Sequence, residues 1–202
     1  MIAFYLTHPQ VAIDPLVAVP DWGLSEVGRN RILANRDKTW FRQIKRIIAS
    51  DERKAQEAAQ LIGDAIGVAI ETRPNMGEND RSSTGFIEPD KFEAAADAFF
   101  ANPDVSWNGW EKARDAQTRI VTAIDKALNE GALNEQVGDS PVLFVGHGAV
   151  GALFKCHISG KPISRREDQP GGGGNLYAFD IASRRLLCEW TPIENFDGER
   201  FA

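Results

Sequence analysis

The chain has 202 residues, of which 43% are hydrophobic and 26% charged, and a formal net charge of −6. That length suits one domain spanning 1–202, and the composition excludes a largely disordered chain. The acidic balance argues against a nucleic-acid footprint, and the two distant cysteines, Cys156 and Cys188, against a disulfide framework or zinc ribbon. No stretch approaches the roughly 20 apolar residues of a membrane helix.

Ile2 to Leu6 reads as a buried strand and not as a signal peptide, so a cytoplasmic location is expected. Val11 to Trp22, with Pro15 and Pro20, reads as a loop. Ser25 to about Arg36 reads as a helix with Ser25 as N-cap. Ile44 to Ala49 is the next strand. Ala55, Ala58, Ala59, Ile62, Ala65 and Ile66 mark a helix that Gly67 closes. Val68 to Glu71 is a short strand, and Arg73 to Pro89 a long functional or covering loop.

Phe92, Ala95, Ala96 and Phe99 mark one helix face. Phe99-Phe100 reads as core on one side and as a modest exposed patch on the other, which makes this helix a candidate homodimer face. A long helix follows Trp110 and ends near Gly131. Val142 to Val145 is a strand buried on both faces, followed by His147-Gly148 and a helix stopped by Gly160 and Pro162. Gly171 to Gly174 reads as a mobile turn bordering the pocket, with Asn175 as a polar edge. Two strands, Leu176 to Ile181 and Arg185 to Trp190, end the chain. Trp107 and Trp110 suit either a pocket wall or a cap on the core or a partner surface. This alternation predicts a three-layer α/β/α sandwich with a mixed, mainly parallel sheet.

In such sheets ligands sit beyond the carboxyl ends of the strands. That rule singles out Thr7-His8, Ser50-Asp51-Glu52-Arg53-Lys54 and His147-Gly148. His157, on the helix face of Val150 and Phe154, reads as a buried structural histidine. The chain has no His-Glu-x-x-His pair, no Gly-x-Ser-x-Gly elbow, and no Lys-Ser/Thr after its glycine tract.

Thr7-His8-Pro9, Leu24-Ser25-Glu26-Val27-Gly28-Arg29, the Ser50 to Ala59 segment and Val145-Gly146-His147-Gly148 occur in this order. Together they resemble the histidine phosphatase superfamily (phosphoglycerate mutase-like) over nearly the whole chain. The resemblance implies a phosphomonoester hydrolase acting through a phosphohistidine, with a small-molecule phosphate ester as substrate and no metal or other cofactor. His8 would be the nucleophile, His147 would hold the phosphoryl oxygens, and Glu78 would be the proton donor, with Asp80 and Glu71 as weaker candidates. Lys54, Arg81, Arg53 and Thr7 would border the phosphate.

The family usually has arginine before the first histidine and glycine after it, where this chain has Thr7 and Pro9. A second pocket arginine aligns with Lys54, and a frequent asparagine with Asp14, which would add repulsion if it pointed inward. Lysine lacks the planar, two-pronged donation of arginine, and threonine has no charge. Arg29, Arg53, Arg81 and Arg114 are candidates to compensate, Arg81 foremost. The mutase variant, which must grip two phosphates, fits less well. The alternative is a catalytically degenerate relative that binds an anion or a protein partner.

Overall fold

The computed structural model describes residues 1–132 and 140–201. Its strands are β1 (Ile2–Thr7), β2 (Arg46–Ser50), β3 (Ile70–Arg73), β4 (Val142–Gly146), β5 (Asn175–Asp180), β6 (Arg185–Leu186) and β7 (Thr191–Pro192). They form one sheet in the order β3-β2-β4-β1-β5-β6, with β7 also paired to β5. The first four positions run parallel; β5 is antiparallel to β1, β6 and β7.

The helices are α1 (Glu26–Leu33), α2 (Arg53–Ile66), α3 (Pro89–Ala101), α4 (Ala113–Ala132) and α5 (Gly148–Ile158). Strand side chains alternate between two cores, as the period of two requires. Ala3, Tyr5, Val142, Phe144, Tyr177 and Phe179 face α3, α4 and α5. Phe4, Leu6, Leu143, Val145, Leu176 and Ala178 face α2, the tip of α1 and the Trp40-Phe41 turn. The result is the expected α/β sandwich with a mixed, mostly parallel sheet.

Helix caps follow local chemistry. The Ser25 hydroxyl accepts from the Gly28 amide at 3.0 Å. A Cβ on Gly28 would overlap the Gln10 carbonyl oxygen, so only glycine lets α1 lie this close to the loop after His8. Gly67 ends α2 in the left-handed conformation, at φ 71°.

Several expectations need correction. The strand predicted from Ile44 begins at Arg46, because Thr39–Gln43 forms a 3-10 turn capped by Ile44. The strand predicted at Val68 begins at Ile70, since the Val68 amide is still bonded to the Gly63 carbonyl at 3.0 Å. The last predicted strand is replaced by the short β6 and β7, which pair with opposite ends of β5. Phe99 and Phe100 are both buried, and Arg165 lies over the Phe100 ring, so the expected apolar patch is absent from α3. His157 is exposed: Val150 to Cys156 and Ile158 are buried, and His157 is the one position of the last turn that faces solvent. Among the described residues no helix is long and apolar enough to cross a membrane.

Candidate active site

Register brings the two histidines together. Thr7 at the end of β1 is paired with Gly146 at the end of the parallel β4, so His8 and His147 leave adjacent strands at the same level. Their ring centroids lie 5.1 Å apart. β2 flanks β4 on its other side and supplies Ser50, Glu52 and Lys54 to the same end of the sheet.

His8 is held by backbone on both sides. Its amide donates to the Gly146 carbonyl at 2.9 Å, and its carbonyl accepts from the Gly174 amide at 3.2 Å. Pro9 forms a bridge with Gly173. The glycine tract, expected as a mobile turn, is therefore a hydrogen-bonded rest for the His8 backbone, tied on its far side by Arg31 to the Gly173 carbonyl at 2.6 Å. Asn175 is not a pocket edge. It is buried, with its amide nitrogen on Gln169, Pro170 and Gly173.

The His8 Nδ1 lies 2.8 Å from the Pro9 carbonyl oxygen. A carbonyl only accepts, so Nδ1 carries the proton and Nε2 carries the lone pair. Burial lowers the pKa of this ring from 6.5 to about 4, with Lys54 adding to the effect against the Pro9 hydrogen bond. His147 is fully buried, and desolvation holds it well below its ordinary value against the opposing charge of Glu52. Its Nε2 is 2.8 Å from Ser50 Oγ, while its Nδ1 has no hydrogen-bond partner among the described residues. The Tyr5 hydroxyl accepts from the His147 amide and donates to the His147 carbonyl, both at 3.2 Å.

Lys54 is buried. Its Nζ donates to the Val19 carbonyl at 2.8 Å and to Glu52 Oε2. The other Glu52 oxygen accepts from the Glu78 amide at 2.7 Å and lies 3.6 Å from His147 Nε2. Burial opposes ionisation of Glu52, but His147, Lys54 and the Glu78 amide hold its pKa down at about 2. The Glu78 carboxylate caps α5, accepting from the amides of Ala149 and Val150 at 3.1 Å each and from Asn79 at 3.0 Å. Arg119 supports the same loop by donating to the Asn75, Gly77 and Glu78 carbonyls.

His8 lines a cavity of about 270 Å³ together with Glu78, Arg81, Phe92, Trp110 and Asp168. A neighbouring cavity of about 630 Å³ is lined by Glu52, Asp80, Glu111 and Arg119, and shares Glu78 and Arg81 with the first. Trp110 is both a core residue and part of the pocket wall, with its indole nitrogen on Thr84 Oγ1 at 2.9 Å.

The other candidates lie elsewhere. Arg53 is exposed and paired with Glu57 at 2.8 Å; Arg29 joins the same carboxylate, and Arg114 pairs with Asp104. Thr7 is buried, donating to Gln169 Oε1 at 2.6 Å. Asp14 is exposed and caps its own turn through the Leu16 amide. Glu71 is bound by Arg46 and Arg73 and lines neither cavity. The sequence reading carried Glu52 within the Ser50 to Lys54 strand-end segment without giving it a role, and did not reach Gln169 or Asp168, whose segment carries no motif. Among the described residues no three His, Cys, Asp or Glu side chains are grouped to hold a metal ion.

The chain is an α/β protein whose mostly parallel sheet brings two histidines together at adjacent strand ends. Residues 13–191 match the model of the histidine phosphatase superfamily (branch 1), and the chain belongs to that family. It is 30% identical over 161 residues to the uncharacterized protein Rv0525 of Mycobacterium tuberculosis, covering 74% of each chain. It is also 30% identical over 173 residues to the glucosyl-3-phosphoglycerate phosphatase of Mycolicibacterium vanbaalenii, covering 80% of this chain and 74% of the relative. The fold matches that of the mycobacterial glucosyl-3-phosphoglycerate phosphatase Rv2419c in complex with inorganic phosphate. The TM-score is 0.79 at 20% identity, over 96% of this chain and 99% of that one. Bacillus stearothermophilus YhfR gives a TM-score of 0.76 at 16% identity, over 98% of both chains.

Proposed function

We propose that this chain, acting as one unit over 1–202, hydrolyses a phosphomonoester through a phosphohistidine on His8. It would be a divergent family member, with Thr-His-Pro in place of Arg-His-Gly. The observation that carries this reading is the bond from His8 Nδ1 to the Pro9 carbonyl, which leaves a neutral, oriented Nε2 lone pair beside a second histidine.

In the first step Nε2 attacks phosphorus in line. The N–P bond forms as the ester P–O bond breaks, and Glu78 protonates the departing oxygen. Ser50 Oγ accepts from the Glu52 amide at 3.2 Å. With its hydroxyl hydrogen directed to His147 Nε2, it leaves the His147 proton on the unpartnered Nδ1. That buried donor then serves a phosphoryl oxygen, alongside Lys54 and Arg81. In the second step Glu78 takes a proton from water as the water attacks phosphorus, and the N–P bond breaks to restore His8. The names of the mycobacterial relatives support an organic phosphate with a polar leaving group. The cations at the site, fewer than two phosphates would need, weigh against a mutase.

A second reading, anion or partner binding without turnover, is supported by one observation: Lys54 is already engaged by Glu52 and by the Val19 carbonyl. Hydrolysis assays with aryl phosphates, glucosyl-3-phosphoglycerate and a panel of phosphometabolites separate the two. Turnover in the presence of EDTA that disappears in His8→Ala supports the hydrolase. Activity that survives His8→Ala, or that requires a divalent metal, overturns it.

A further inference from the structure

Glu52 lines the larger cavity, which adjoins the His8 cavity at Glu78 and Arg81, and is its least expected group. It is 11% exposed in its side chain, and its carboxylate touches three elements at once. One oxygen is on Lys54 of α2. The other accepts from the Glu78 amide at 2.7 Å and lies 3.6 Å from the His147 ring at the end of β4. A Cβ on Gly77 would come within 3.1 Å of it, so the 77–78 loop already closes over the carboxylate.

Lys54 and Arg81 are the cations nearest the histidines; Glu52 offsets one of them, and Glu78 the other in the part of the cycle where it carries no proton. Farther out, Arg119 is paired with Glu111, and Arg165 is shared by Asp168, Glu93 and Asp97, so neither is a free cation. His8 and His147 are neutral through burial. A phosphoryl dianion entering this pocket therefore meets at most one uncompensated cation, and it must approach a fixed carboxylate at low dielectric, where repulsion is strong. A monoanion carries half that repulsion and retains one P–OH, which a carboxylate can accept.

We propose that Glu52 is a specificity-determining residue that reserves Lys54 and makes the pocket select a phosphoryl group carrying one negative charge over one carrying two. This rests on the reading that the pocket takes a phosphoryl group, and it adds which protonation state is taken. Phosphomonoesters lose their second proton near pH ~6, so the ligand's own ionisation gates binding. Asp168, which lines the His8 cavity and whose pKa burial raises to about 6, ionises in the same range, and only the ligand's contribution moves when the ligand is changed.

The test is calorimetric titration of the full chain with inorganic phosphate at pH 5.5, at pH 8 and at steps between, and with methylphosphonate, whose second ionisation lies at higher pH. Wild type is expected to lose about fivefold or more in affinity from pH 5.5 to pH 8, with the break moving upward for the phosphonate. Glu52→Gln removes the charge and keeps one acceptor oxygen, enough for the Glu78 amide while Lys54 is released; it is expected to bind phosphate at least tenfold tighter than wild type at pH 8. Affinity that is independent of pH, a break that does not follow the ligand, or a Glu52→Gln variant no tighter at pH 8 overturns the selection while leaving the phosphatase reading standing. Absence of phosphate binding by both proteins at both pH values overturns both. Should Glu52→Gln fail to fold, the phosphate and phosphonate comparison on wild type decides alone.

Discussion

The carbonyl oxygen of Pro9 accepts a hydrogen bond from Nδ1 of His8, its own neighbour in the chain, at 2.8 Å. Peptide geometry and the Pro9–Gly173 bridge fix that oxygen, so the imidazole is oriented by the residue that follows it. The tautomer of the proposed nucleophile is set without a carboxylate partner.

His8 must be unprotonated to attack, and burial lowers its pKa to about 4. The acid limb of kcat/KM is thus expected near pH 4, with activity rising as the pH is raised through that value. A pH-rate profile with an aryl phosphate measures it; a limb near 6.5 would mean an exposed, unperturbed histidine.

Tyr5→Phe removes the hydroxyl that serves both backbone groups of His147. The His147 amide is then buried without that partner, at a cost of about 1–2 kcal/mol. Thermal or denaturant unfolding should register this loss together with reduced turnover. Unchanged stability would mean that the amide finds another acceptor.

Gly173 has φ 63°, and a Cβ there would overlap the His8 carbonyl oxygen, whereas a Cβ on Gly171 meets nothing within 4 Å. Gly173→Ala is expected to destabilise by more than about 2 kcal/mol and to reduce activity sharply. Gly171→Ala should stay within about 0.5 kcal/mol of wild type. Equal effects of the two would mean that the tract does not hold His8.

Asp168 lines the His8 cavity, and burial raises its pKa from 3.8 to about 6 against the pull of the Gln169 amide and Arg165. The folded state therefore binds a proton that the unfolded state has released, and the associated stability is lost as the pH rises through about 6. Asp168→Asn removes this charge while Arg165 keeps Glu93 and Asp97. The variant is expected to be more stable than wild type at pH 7.5 by about 1–2 kcal/mol, with the gap closing toward pH 4. Melting curves of a less stable variant at pH 7.5 would contradict this.

Much of this architecture is legible in the sequence because local signals and burial agree. The continuous apolar run of β4 and the 3.6 spacing of α2 each point one way, and strand ends then locate His8, Lys54 and His147. The same reading misplaced His157, because the period of a helix says which residues share a face and not which of them a neighbouring layer covers. It placed Arg53 beside the phosphate, although the residue starting α2 points outward to Glu57. Glu52 and Asp168 acquire their meaning only from contacts across the fold: Glu52 meets the Glu78 loop 26 residues away, and no spacing rule reports such a meeting.

The central claim is a covalent bond from phosphorus to His8, and trapping the intermediate tests it most directly. The protein is incubated briefly with a phosphorus-labelled aryl phosphate, quenched in base, where phosphohistidine survives, and digested for mass spectrometry. The account predicts label on the peptide containing His8, lost on acid treatment and absent from His8→Ala. Turnover with no label on that peptide, or label that persists in His8→Ala, would contradict it.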